Sequence, residues 1–230
     1  MTNHRTPLVA LLDLAEAGLK SDALLIAELD TALQRIGIQT VITADPRVAA
    51  EADGLIVASD AGFLEFMDAM NSVYGARLIG QRLSGGRAVL AIGTAFAALF
   101  DEALVDGAII AGCGEWPGRV NDGEVVKRAL SQPGALKVSE GDSVAMLSDK
   151  DNLLSIDNVE LLQGSGLACT HFELTSSEIT RAPQLAWAVT DDVDVLAAVD
   201  NSPLCALAFS PTRIPEGGDQ VLKRWVEGII

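Results

Sequence analysis

Apolar and polar positions along the chain alternate between two periods. Leu8-Val9-Ala10-Leu11-Leu12 is a short unbroken apolar run, as expected for a strand buried on both faces. Beyond it, Ser21 is placed to cap a helix in which Leu25, Leu29, Leu33 and Ile36 recur at helical spacing, and Gly37 follows as a stop. Ile38 to Thr43 is rich in β-branched residues and predicts a second strand. Asp45-Pro46 supplies a side-chain acceptor and a first-turn proline, the signature of a helix start. Gly54-Leu55-Ile56-Val57 predicts a third strand. Gly62 to Tyr74 reads as a helix with Phe63, Phe66, Met67 and Met70 on one side. A further helix over Ala76 to Leu83 ends at Gly85-Gly86. Ala88-Val89-Leu90-Ala91-Ile92 is a fourth buried strand, which turns at Gly93 into a short helix over Thr94 to Phe100.

Strands alternating with helices imply a mostly parallel sheet flanked by helices on both faces. The second half changes character. Leu185 to Val189, Val195 to Val199 and Leu204 to Phe209 are short strands joined by Asp, Asn, Ser and Pro, with Asn201-Ser202-Pro203 as a hairpin turn. A helix containing Leu222 to Val226 closes the chain. The stretch from Asn121 to Asn158 carries no pattern that assigns it. No repeat, low-complexity segment or linker divides the sequence, so residues 1–230 are expected to form a single domain.

Composition narrows the function. The 230 residues are 49% hydrophobic, enough to build a real core, but only 4% aromatic, so Ala, Leu and Val fill it. A formal net charge of -16 repels phosphate backbones and anionic lipid, which argues against nucleic-acid and membrane partners. Met1 to Pro7 is short and polar, and the apolar run after it is too brief for a signal peptide or a span. Cys113, Cys169 and Cys205 are odd in number and widely spaced, which suits a reducing cytoplasm rather than a disulfide framework.

The informative place is Val89 to Phe100. A buried strand, one sharp-turn residue and a helix make the framework of a nucleophile elbow, which exposes the turn side chain beside backbone N–H groups able to hold an oxyanion. Here the turn residue is Gly93, which offers no nucleophile. Positive φ costs glycine little, so Gly93 reads as a relaxed elbow kept for its turn.

Three segments carry a family resemblance: Ala52-Asp53-Gly54-Leu55-Ile56-Val57, Leu78 to Arg87, and Gly112-Cys113-Gly114-Glu115-Trp116-Pro117-Gly118-Arg119-Val120. They resemble the glutaminase subunit of imidazole glycerol phosphate synthase in its actinobacterial form. The resemblance implies a class I glutamine amidotransferase fold: a flavodoxin-like, mostly parallel sheet with an antiparallel C-terminal extension. It also implies a Cys-His-Glu triad, a cytoplasmic location, no cofactor, and a (β/α)8-barrel cyclase as partner in histidine biosynthesis. In that family a Gly-x-Cys-x-Gly elbow carries the cysteine and a His-Pro-Glu motif follows a late strand. Ala91-Ile92-Gly93-Thr94-Ala95 takes the place of the elbow and Phe209-Ser210-Pro211-Thr212 that of the second motif. Gly93, Ser210 and Thr212 thus stand at the three triad positions. The oxyanion strand corresponds to Ala58 to Phe63, with Ser59, Asp60 and Ala61 at its centre. Asp60 would put negative charge where negative charge develops. Ala97 replaces a family glutamine, His171 falls in the family's His-Ser-Tyr segment, and Val144 to Asp149 matches a Pro-His-Met-Gly-Trp-Asn segment loosely.

The reading is therefore a non-catalytic homologue. Two alternatives stand beside it. Residual glutaminase activity would need another nucleophile, from Cys113, Cys169, Ser210 or Thr94. A repurposed small-molecule or protein-binding module would keep the cleft at the carboxyl ends of the strands. The other polar clusters read as structure: Cys169-Thr170-His171 as a strand end too poor in ligands for a metal, and Asp191, Asp192 and Asp194 as a solvated turn without calcium-loop spacing. Gly164-Ser165-Gly166 reads as a plain turn, and Trp116 and Trp225 as packing residues.

Overall fold

The structure is a computed structural model that describes residues 6–122, 136–140, 167–168, 184–189, 194–214 and 218–229. Its first half follows the predicted alternation. β1 (Leu8–Leu12), β2 (Gln39–Thr43), β3 (Gly54–Ser59) and β4 (Ala88–Gly93) run parallel. Between them lie α1 (Ala23–Arg35), α2 (Pro46–Glu51), α3 (Phe63–Ser72) and α4 (Gly75–Ser84). Past the elbow come α5 (Thr94–Ala98) and three strands, β5 (Phe100–Val105), β6 (Ala108–Ala111) and β7 (Trp116–Asp122). β8 (Leu136–Glu140), β9 (Leu167–Ala168), β10 (Gln184–Val189), β11 (Asp194–Asn201) and β12 (Leu204–Leu207) follow, and α6 (Gly218–Glu227) packs last.

The main sheet has the order β2-β1-β3-β4-β12-β11-β10-β8. β12 joins the parallel set beside β4, with Leu207 opposite Ile92. β11, β10 and β8 extend it as antiparallel strands. Alternation within each strand splits the core in two. Ala10, Leu55, Val57, Val89 and Ala91 point to one face, where Phe66, Met70, Leu78 and Phe96 cover them. Val9, Leu11, Ile56, Leu90 and Ile92 point to the other, under Leu25, Leu29, Leu33, Leu222 and Trp225. This two-sided burial is why the strands read as unbroken apolar runs.

Three expectations need correcting. The helix after the elbow stops at Ala98 rather than reaching Phe100, because Phe100 opens β5. Phe96 and Phe100 have helical spacing and their rings meet edge to face, with centroids 5.6 Å apart, while Trp116 packs against both at 6.5 and 5.7 Å. The second sheet, β6-β5-β7-β9, was not visible in the periodicity. Ser21 does not cap α1: it lies in a 3-10 turn, Lys20–Asp22, and Asp22 occupies the cap position without bonding the helix. The Asp45 cap does form, accepting from Arg47 N–H at 2.8 Å.

Arg82 ties α4 to the sheet. It is 1% exposed. Its Nη1 donates to the carbonyls of Ala49, Ala50 and Ala52, and its Nη2 to those of Asp53 and Ala88. The end of α2 and the starts of β3 and β4 are thereby satisfied by one guanidinium. Burial, with Arg87 nearby, lowers its pKa to about 10, so it stays charged at neutral pH.

Candidate functional site

β3 and β4 end side by side, with Ser59 paired to Gly93 in register. Both termini lie at the carboxyl edge of the sheet, where open α/β folds place their sites. Gly93 has φ 67° and ψ -125°, a conformation that strains any L-residue. The neighbouring strand closes on it as well. A Cβ at Gly93 would fall 2.3 Å from the Ser59 carbonyl oxygen and 3.4 Å from Asp60 Oδ1. No side chain fits at this elbow unless β3 moves.

The residues matched to the oxyanion strand have committed their donors. Asp60 N–H donates to Asp22 Oδ1 at 3.1 Å, and Ala61 N–H to Ser59 Oγ at 3.1 Å. An oxyanion hole requires N–H groups aimed at an open position. The Asp60 carboxylate pairs with Arg213, at the far end of the segment containing Ser210 and Thr212. Sequence reasoning did not find the cation that faces Asp60.

Ser210 is 3% exposed. Its hydroxyl lies 2.8 Å from Thr212 Oγ1, which in turn donates to Glu28 Oε2 at 3.2 Å. The positions matched to histidine and glutamate therefore do meet, as two hydroxyls that end on a carboxylate of α1. Because Thr212 gives its proton to Glu28, Ser210 is the donor of the pair. Neither hydroxyl has an adjacent imidazole in this network to activate it. Thr94 is fully buried, and its hydroxyl donates to the Ala61 carbonyl at 2.6 Å. Ala97 is fully buried too. His171, Cys169, Asp191, Asp192, Gly164 to Gly166 and Val144 to Asp149 lie outside the described residues.

Two further carboxyls and a thiol complete the electrostatics. Asp22 is 5% exposed and its Oδ2 has no hydrogen-bond partner among the described residues. Burial raises its pKa, and the negative charges of Asp60 and Glu65 push the same way. The Ser59 hydroxyl and the Asp60 N–H oppose them. The Cys113 thiol is pushed up to about 12 by burial and by Glu115, so it is protonated and unreactive at neutral pH. Burial also raises the Glu115 carboxyl. Among the described residues no three His, Cys, Asp or Glu side chains gather to hold a metal ion, and no helix is long and apolar enough to cross a membrane.

The mixed sheet with its antiparallel extension and its strand–turn–helix elbow is the architecture of class I glutamine amidotransferases. A solved glutamine amidotransferase superposes with a TM-score of 0.62 at 16% identity, over 96% of this chain and 97% of its own. A chain of the PurLQS structure from Thermotoga maritima does so with a TM-score of 0.54 at 14% identity, over 98% and 100%. No family model matches the sequence. Relatives carry the assignment further. Imidazole glycerol phosphate synthase subunit HisH of Corynebacterium glutamicum is 32% identical over 230 residues, covering 97% of this chain and 100% of its own. The same subunit of Nocardia farcinica is 35% identical, covering 96% and 98%. The chain belongs to the HisH family.

Proposed function

We propose that this chain is a non-catalytic HisH homologue, a single cytoplasmic domain over residues 1–230 in which Gly93, Ser210 and Thr212 occupy the places of the Cys-His-Glu triad. One observation carries the reading: the elbow has no side chain, and the Ser59 carbonyl fills the space that one would need. Covalent attack on the glutamine amide requires a thiolate or an activated hydroxyl presented at that turn. The described substitutes are unsuited to the task. Cys113 is protonated, Thr94 is bonded to Ala61, and Ser210 gives its proton to Thr212. Ser59, Asp60 and Ala61 are the oxyanion-strand counterparts, and Ala97 and His171 are remnants of the glutamine-binding site.

The scaffold's partner is the cyclase subunit of imidazole glycerol phosphate synthase, to which the protein adds a stabilising or competing subunit rather than ammonia. No cofactor is required. The test is ammonia release from glutamine by the purified protein, alone and with the cyclase of the same organism. The expected rate equals the protein-free blank in both cases, with a complex detectable by size exclusion. Turnover above the blank that disappears in Cys169→Ala would overturn the reading.

A further inference from the structure

An unexplained feature lies at the opposite edge of the sheet from the elbow. A cavity of about 640 Å³ opens where β3, β4 and β12 begin, walled by residues on either side of those strand starts and by α6. It is separated from Gly93 by the length of β4, roughly 16 Å. Its volume suits a small molecule. No part of the elbow network reaches it.

Two of its side chains are held and left open in complementary ways. Asp200 is 8% exposed. Its Oδ1 accepts from Ser202 N–H at 3.2 Å, Ser202 Oγ at 3.0 Å and Cys205 Sγ at 3.4 Å. Its Oδ2 carries no hydrogen bond or ion pair among the described residues. A carboxylate oxygen fixed this firmly through its twin, beside a cavity, is a preformed acceptor for a cationic donor. Arg87 stands on the adjoining strand start. One of its nitrogens, Nη1, donates to the Ala50 carbonyl, while Nε and Nη2 are without a bond among the described residues. The backbone sets the two charges on either side of one turn: Val89 N–H donates to the Pro203 carbonyl at 2.9 Å, and Asp200 faces Cys205 across the β11–β12 hairpin. The rest of the wall combines apolar surface from Ala52, Ala88, Pro203, Trp225 and Ile229 with the charged side chains of Glu51, Asp53 and Arg224.

We infer that this cavity binds a small zwitterion of the α-amino-acid class with an apolar side chain. Asp200 Oδ2 accepts from the ammonium, Arg87 clamps the carboxylate, and the side chain rests on Trp225 and Ile229. The inference does not rest on the loss of glutamine chemistry at the elbow. The test uses the full chain labelled with nitrogen-15. The Trp225 indole signal, assigned by Trp225→Phe, is followed during titration with L-phenylalanine, L-leucine and L-methionine. At least one should shift it saturably. For L-phenylalanine, the analogues 3-phenylpropanoate and phenethylamine each lack one charge and should bind about tenfold more weakly or worse. Asp200→Asn keeps the Oδ1 acceptor that holds the turn and should weaken binding by a similar factor. Arg87→Gln, on an exposed side chain, should do the same and decides the question should the Asp200 variant not fold. The inference is overturned by the absence of a saturable shift with all three amino acids, by equal binding of either single-charge analogue, or by unchanged binding in the variants.

Discussion

Placing a cysteine at Gly93 should damage the fold instead of creating a reaction. The Cβ of Gly93→Ala or Gly93→Cys would sit 2.3 Å from the Ser59 carbonyl oxygen, well inside contact distance, and the obstacle is backbone rather than a movable side-chain tip. Two costs combine. A non-glycine residue at φ 67°, ψ -125° carries about 1–3 kcal/mol of backbone strain. Relieving the clash shifts the end of β3, where Ser59 pairs with Gly93, and overpacking of this kind costs about 1–3 kcal/mol more. The sum, about 2–6 kcal/mol, is a large share of the roughly 5–15 kcal/mol that holds a domain folded. Urea denaturation followed by circular dichroism measures it. Gly86→Ala is the control: its φ is also 67°, but a Cβ there meets nothing within 4 Å, so it reports the cost of a positive φ without the collision. The expected order of stability is wild type, then Gly86→Ala, then Gly93→Ala and Gly93→Cys together. A Gly93→Cys protein as stable as wild type would refute the closed-elbow reasoning.

Three further outcomes follow from the same geometry. Asp22→Asn should stabilise the protein by about 1 kcal/mol at neutral pH, since it removes a buried charge with an unpartnered oxygen yet keeps the acceptor for Asp60 N–H. Because burial raises the folded-state pKa above 3.8, ionising Asp22 penalises the native state once the pH exceeds that raised value. The advantage of the variant should therefore shrink as pH falls through it, which chemical denaturation across a pH series will read. Arg82→Ala should cost about 3 kcal/mol or more, seen as a lowered urea midpoint, because it strands carbonyls at the end of α2 and the starts of β3 and β4. Cys113, with its pKa moved from 9.0 to about 12, should hold roughly a thousandfold less thiolate at neutral pH than a free thiol. Peptide mapping after brief iodoacetamide treatment should find it unmodified in the native state.

The parallel half of the fold was legible because β1, β3 and β4 are buried on both faces, and two-sided burial writes an unbroken apolar run into the sequence. β5 was illegible for the converse reason. Phe100-Asp101-Glu102-Ala103-Leu104-Val105 is buried at Phe100 and Ala103, a spacing that does not distinguish strand from helix. The empty elbow at Gly93 could be read from the chain. What fills the space around it could not. Asp22 reaches Asp60 across 38 positions, Arg213 reaches Asp60 across 153, and Thr212 reaches Glu28 across 184. No local pattern marks such partners. The polar residues at the elbow bond one another through the tertiary fold, which is why Asp60 looked in sequence like an unopposed charge.

The most direct test of the central claim is intact-mass spectrometry of the protein after incubation with a diazoketone analogue of glutamine, which alkylates an amidotransferase nucleophile as a substrate would meet it. With Gly93 at the elbow and Cys113 protonated, the mass should not change at neutral pH, with or without the cyclase present. A stoichiometric adduct that glutamine protects against, mapped to Cys169 or to any hydroxyl, would contradict the account.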